Sequence, residues 1–131
     1  MYKVAVLPGD GIGPEVVNEG MKVLRALQAQ HGLKFDFQEF EINAERYLRT
    51  GKLLEDEDIE QLRAFDTIFL GAIGDDRVPP GILEKGILLR ARFAFDEYIN
   101  HRPAQLWKPL DRKSTRLNSS HFVPSRMPSS A

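Results

Sequence analysis

The stretch that decides the fold is YKVAVLPGDGIGPEV, residues 2–16. Tyr2–Leu7 is a short, β-rich apolar run, and Pro8-Gly9 stops it. A continuous apolar run bounded by turn residues reads as a buried strand. Pro14 then opens a helical pattern, at a position where its missing N–H removes no intrahelical bond. Val17, Met21, Leu24 and Gln28 follow at helical spacing, flanked by Val16, Val23 and Leu27, and His31-Gly32 closes the pattern.

Beyond this helix, Lys34–Phe40 alternates apolar and polar residues as a half-buried strand does. Ala44–Leu48 suits a short helical turn before Thr50-Gly51. The acidic run Glu55–Glu60 suits a helix N-terminus, where carboxylates complement the dipole. Thr67–Leu70 is a second apolar strand ending at Gly71. A loop with Pro79-Pro80 spans Ala72–Gly81. Leu83–Tyr98 is the longest helical pattern after it, and Arg102–Leu106 reads as extended. Strands alternating with helices predict an α/β fold with a largely parallel sheet flanked by helices.

Composition excludes several classes of function. The 131 residues carry 18 Lys and Arg against 19 Asp and Glu, a net charge of −1, so nothing electrostatic points to nucleic acid or an anionic membrane. With no cysteine, disulfides, thiolate metal sites and cysteine nucleophiles are absent. No apolar run approaches the ~20 residues of a spanning helix, and the N-terminus lacks the pattern of a signal peptide. A cytoplasmic location is the expectation.

The composition changes after Leu110. DRKSTRLNSSHFVPSRMPSSA (residues 111–131) is serine-rich and basic, without hydrophobic period. Asp111–His121 and Ser125–Ala131 resemble the translation of two constant blocks of a short-read sequencing adapter, with Phe122–Pro124 in the place of its index. Residues 111–131 are therefore expected to be a non-native, disordered tail, and 1–110 the N-terminal part of a longer domain. Without the tail's Arg112, Lys113, Arg116, Arg126 and Asp111, the remainder holds 14 basic and 18 acidic residues, a net of −4.

Gly9-Asp10-Gly11-Ile12-Gly13 has the spacing G-x-G-x-G followed by proline. A Rossmann fingerprint needs G-x-G-x-x-G and an acidic residue about 20 positions on, so this is a different turn. Spacing alone leaves a tight strand-to-helix turn and a phosphate-binding loop equally open.

The longer string LPGDGIGPEV resembles the opening of the β-decarboxylating dehydrogenases, the isocitrate and 3-isopropylmalate dehydrogenase family. GAIGDDRVPPGILEKGILLRARFAFDEYINHRP, Gly71–Pro103, resembles the central part of their first domain. The resemblance covers essentially residues 2–106. It implies NAD-dependent oxidation of a 2-hydroxy acid followed by loss of its β-carboxylate, with Mg2+ or Mn2+, in a homodimer. By motif match Arg92 and Arg102 correspond to substrate-binding arginines; planar guanidinium groups suit a dicarboxylic acid. Ile12 and Gly74 fall on loops expected to meet the cofactor. Glu84 with Ile87, Leu88 and Leu89 stands where a substrate's third substituent is read. An apolar cluster there suits an isopropyl group, which favours 3-isopropylmalate over tartrate, malate or homoisocitrate. A one-residue length difference from other members leaves the choice among these leucines open, and some of them must be packing.

Periodicity alone makes Arg90, Arg92 and Asp96 a solvated helix face, with an Arg92–Asp96 pair at i,i+4. Arg90, roughly 200° round the helix from Arg92, is the surface residue. His31 and His101 have no partner that would make either a base, and Trp107 reads as packing or loop. The family's metal ligands and its acid–base lysine and tyrosine are expected beyond Leu110, so no catalytic or metal residue is assigned within this chain. Asp10, Asp75 and Asp76 are not taken as metal ligands. The chain alone is expected to be inactive and prone to aggregate.

Overall fold

A computed structural model describes residues 1–104. Strand β1 (Tyr2–Gly9) leads to helix α1 (Gly13–His31), β2 (Phe35–Glu39), α2 (Ala44–Thr50), α3 (Asp56–Leu62) and β3 (Thr67–Ala72). A π-helical segment, Glu84–Leu89, then runs into α4 (Arg90–Ala94). The sheet is parallel in the order β2-β1-β3. Val4 lies between Phe37 and Thr67, and Val6 between Glu39 and Phe69.

β1 is central, and that explains its unbroken apolar run. Val4 and Val6 face α1 and pack with Val17, Met21 and the half-buried Phe37 and Phe69. Ala5 and Leu7 point the other way, into a larger core with Ile42, Leu54, Ile59, Leu62, Leu83 and Ile87. A strand covered on both faces cannot alternate; β2, at the rim, does.

The helix ends follow from local chemistry. Gly32 and Gly51 take the left-handed conformation just past α1 and α2, and their N–H groups donate to the carbonyls of Gln28 and Tyr47. Asn43 caps α2 by accepting from the Arg46 N–H, and Glu55 and Asp58 form a capping box on α3. α2 and α3 are joined by an Arg46–Asp58 ion pair with two hydrogen bonds of 3.0 and 2.7 Å. The Asp58 carboxylate holds the Arg46 guanidinium above its ordinary pKa, against the desolvation that lowers it.

The last helix departs from its expected course. The helical pattern read to Tyr98 stops at Ala94. Asp96 adopts φ 55, its N–H donates to the Phe93 carbonyl, and the Glu97 N–H donates to that of Arg92 at 2.9 Å. This is a Schellman stop without glycine. Arg63 reinforces it by donating to the Ala94 carbonyl at 2.9 Å while lying over the Phe95 ring. Upstream, the Arg90 N–H reaches back to the Lys85 carbonyl, the i→i−5 bond of a widened turn.

Two compact units divide the chain, Met1–Ile99 and one beginning at Asn100. Residues 100–104 of the second have no regular secondary structure. The rest of the Arg102–Leu106 segment, Trp107 and the 111–131 tail lie outside the described residues. Among the described residues no helix is long and apolar enough to cross a membrane.

Candidate functional site at the carboxyl ends of β1 and β3

β1 and β3 run side by side, and the chain leaves them toward opposite faces of the sheet. After β1 it enters α1 on one face; after β3 it loops to the Glu84–Ala94 helix on the other. Where adjacent parallel strands diverge in this way, a crevice opens beyond their carboxyl ends, the usual ligand position in open α/β sheets.

The turn Gly9–Gly13 forms one wall. Gly9 sits at φ 76, and a Cβ there would overlap the Ala72 carbonyl oxygen; at Gly13 it would overlap that of Pro8. Both glycines are thus required by backbone packing. Gly11 differs: it has φ 55 with no atom within 4 Å of where its Cβ would be. Ile12 beside it is 67% exposed.

The loop Ala72–Gly81 forms the other wall, and Asp10 ties it to the first. Asp10 is the one buried charged side chain among the described residues, 7% exposed. One carboxylate oxygen accepts from the Ala44 N–H at 2.8 Å, the other from the Gly74 N–H at 3.2 Å. Its main chain donates to the Ala72 carbonyl at 2.6 Å and accepts from the Gly13 N–H at 2.8 Å. Ile12 and Gly74, expected on separate loops, are thereby held to one hub. Gly74, like Gly11, has open space around it.

Farther along the loop, Asp75 accepts from the Arg77 N–H and from its guanidinium, which also binds Glu45 at 3.0 Å. The Arg77 side-chain hydrogen bonds hold the Asp75 carboxyl down to about 2, and the same bonds raise Arg77. Asp10 and Asp75 are thus spent on protein donors. No group of three His, Asp or Glu able to hold a metal ion occurs among the described residues.

Glu84 opens the π segment, where its carboxylate accepts from the Gly81 N–H at 2.9 Å. With Gly74, Asp76, Pro80 and Leu83 it lines a cleft of about 270 Å³, so one expected cofactor residue and one expected substrate residue share a concavity. Ile87 is core, Leu88 is half-buried and Leu89 is 42% exposed. That sorts the apolar cluster: Ile87 is packing, and Leu88 and Leu89 remain available to a ligand.

Arg92 lies half-buried on α4. The expected Arg92–Asp96 pair is not among the ion pairs of the described residues, because the helix ends at Ala94 and Asp96 forms the stop instead. Arg90 is at the surface, bonded to Asp56 at the start of α3 at 2.7 Å. Arg102, in the second unit, is exposed and donates to Asn100 at 3.3 Å. His31 and His101 are exposed. Asp10 is the residue that motif reading missed; the signal was an acid set between glycines whose flanking backbone is already committed to turning.

The sequence model of the isocitrate/isopropylmalate dehydrogenase family matches residues 3–122. The chain belongs to that family. Among curated proteins it is 55% identical over 105 residues to the 3-isopropylmalate dehydrogenase of Thermobifida fusca, covering 80% of this chain and 30% of that one. The corresponding enzyme of Corynebacterium efficiens is 51% identical over 122 residues, 92% of this chain and 35% of the relative. Among solved structures, the apo β-decarboxylating dehydrogenase of Thermococcus kodakarensis superposes with a TM-score of 0.52 at 31% identity, over 73% of this chain and 27% of that one. The chain thus spans about a third of the length of the curated relatives it matches. The fold agrees with the family: α/β, with a three-stranded parallel sheet flanked by helices.

Proposed function

We propose that residues 1–110 are the N-terminal part of a 3-isopropylmalate dehydrogenase, and that 111–131 are not native to it. The whole enzyme oxidises 3-isopropylmalate with NAD and releases carbon dioxide to give 4-methyl-2-oxopentanoate, a step of leucine biosynthesis. The observation that carries this reading is the 55% identity over 105 residues to a relative of that name. The divergent carboxyl ends of β1 and β3 supply a crevice where the reading needs one.

Arg92 and Arg102 are the residues proposed for the substrate carboxylates. Leu88 and Leu89 meet the isopropyl group, with Glu84 at its edge. The dinucleotide lies along Ile12 and Gly74, where Gly11 and Gly74 leave the backbone open to a flat ligand. When bound, NAD takes up the hydride, and Mg2+ or Mn2+ supplies charge stabilisation for the decarboxylation. The metal ligands and the acid–base groups belong to the remainder of the enzyme, a cytoplasmic homodimer. This chain alone is inactive.

The test is to sequence the source locus across codon 110 and assay the continuous reading frame for NAD reduction with a divalent metal. 3-Isopropylmalate is expected to outpace malate, tartrate and homoisocitrate by at least tenfold in kcat/KM. A preference for homoisocitrate or tartrate would move the enzyme elsewhere in the family. A genomic stop after the serine-rich stretch would leave a non-catalytic α/β module.

A further inference from the structure

We propose that Asp10 is a positioning residue for the dinucleotide, holding the β1–α1 turn and the β3 loop at a fixed separation; this rests on the cofactor reading of Ile12 and Gly74. The carboxylate is buried and touches none of the atoms expected to react, yet both its oxygens are engaged. One accepts from Ala44, the first residue of α2, and the other from Gly74 in the opposite wall. Its own backbone closes the turn two residues before Ile12 and binds the end of β3. Four hydrogen bonds therefore converge on one residue: one within its own turn, two to Ala72 and Gly74 in the opposite wall, and one to the start of α2.

The residue type matters because both partners are N–H donors. Asparagine has nearly the same shape but would present its NH2 group to one of those N–H groups, replacing an acceptor with a donor. A buried N–H left without an acceptor costs free energy that a surface one would not. The Gly74 bond is the longer of the two, 3.2 against 2.8 Å, so an Asp10→Asn side chain retains its oxygen on Ala44 and releases Gly74. The loss then falls on the wall that meets the cofactor, while Arg92 is untouched.

The experiment uses the full-length enzyme with Asp10→Asn. NAD is varied at saturating 3-isopropylmalate, and the acid at saturating NAD. Amide exchange is followed in peptides covering residues 43–46 and 72–76. The expected result is a rise of tenfold or more in KM for NAD, with kcat and KM for the acid within twofold of wild type. Protection should be lost around Gly74 and kept around Ala44. An unchanged KM for NAD in the folded variant overturns the proposal. So does a proportional loss in all three kinetic parameters, which is the mark of a general structural role. Should Asp10→Asn not fold, Asp10→Glu keeps two acceptor oxygens on a longer stem and carries the same split, with unchanged KM for NAD again decisive against it. Should wild type not turn over 3-isopropylmalate, the substrate reading fails by itself. Calorimetric titration of both proteins with NAD then tests Asp10, with tenfold weaker binding expected and equal binding overturning the proposal.

Discussion

Two stretches of this molecule look equally helical in sequence and end in different ways. α1 runs from a proline to a glycine, and its ends lie where those residues stand. The stretch from Leu83 reads as helical to Tyr98, yet it widens into a π segment and halts at Ala94. The difference lies in who sets the backbone. In α1 the stop is intrinsic, since glycine reaches the left-handed region without steric penalty. At the second helix the stop is imposed from outside: Arg63 of a neighbouring element holds the Ala94 carbonyl, and Asp96 is carried to φ 55 with no glycine to announce it. Local chemistry is legible in a sequence, whereas tertiary chemistry of this sort is not.

The most severe way to break the first region is Gly9→Ala. The new Cβ meets the backbone of Ala72 at a positive φ, and neither can give way without parting β1 from β3. A loss of about 4 kcal/mol is expected in urea denaturation, the range reserved for overpacking combined with backbone strain. Next, Gly32→Ala tests the intrinsic stop. With nothing near its Cβ, only the conformational penalty at φ 65 remains, about 1 kcal/mol destabilising.

Its mirror experiment is Asp96→Gly, which supplies the second helix with the stop residue it lacks. A gain of about 0.5 kcal/mol is expected, and a loss would mean that the Asp96 side chain, not its φ, holds the turn. The smallest effect concerns the β3 loop. Asp75, held down to about 2 from 3.8 by Arg77, contributes to loop order above its unfolded pKa. That contribution fades as pH falls from about 4 toward 2. An NMR titration of the Asp75 carboxyl should show a midpoint near 2 and no change between pH 5 and 8, and Arg77→Ala should return the midpoint toward 3.8.

Much of the fold was readable. The Tyr2–Leu7 run, the Gly32 stop, the alternation in Phe35–Glu39 and the acidic start of α3 each state a local preference that the tertiary structure leaves in place. Of the candidate site, the glycine turn and the loop after β3 could be located, since their residues are backbone specialists. The joint roles could not. Asp10 acts on Ala44 and Gly74, which lie 34 and 64 residues away in sequence, and Arg46 reaches Asp58 across a helix boundary. No periodicity encodes such pairs. The sorting of Ile87 from Leu88 and Leu89 likewise waited on the widened turn that sets which face each residue presents.

That widened turn has a bearing on how this chain changes over generations. A π segment carries one residue more than an α-helix needs to cover the same span. Gene-level insertions and deletions of a single codon are usually ruinous inside a helix, because everything downstream rotates by roughly 100°. Between Glu84 and Leu89 a codon can be gained or lost as the turn widens or tightens, and Arg92 keeps its bearing. That makes Glu84–Leu89 the place where the gene's spacing is free to vary while the helix beyond it stays aimed.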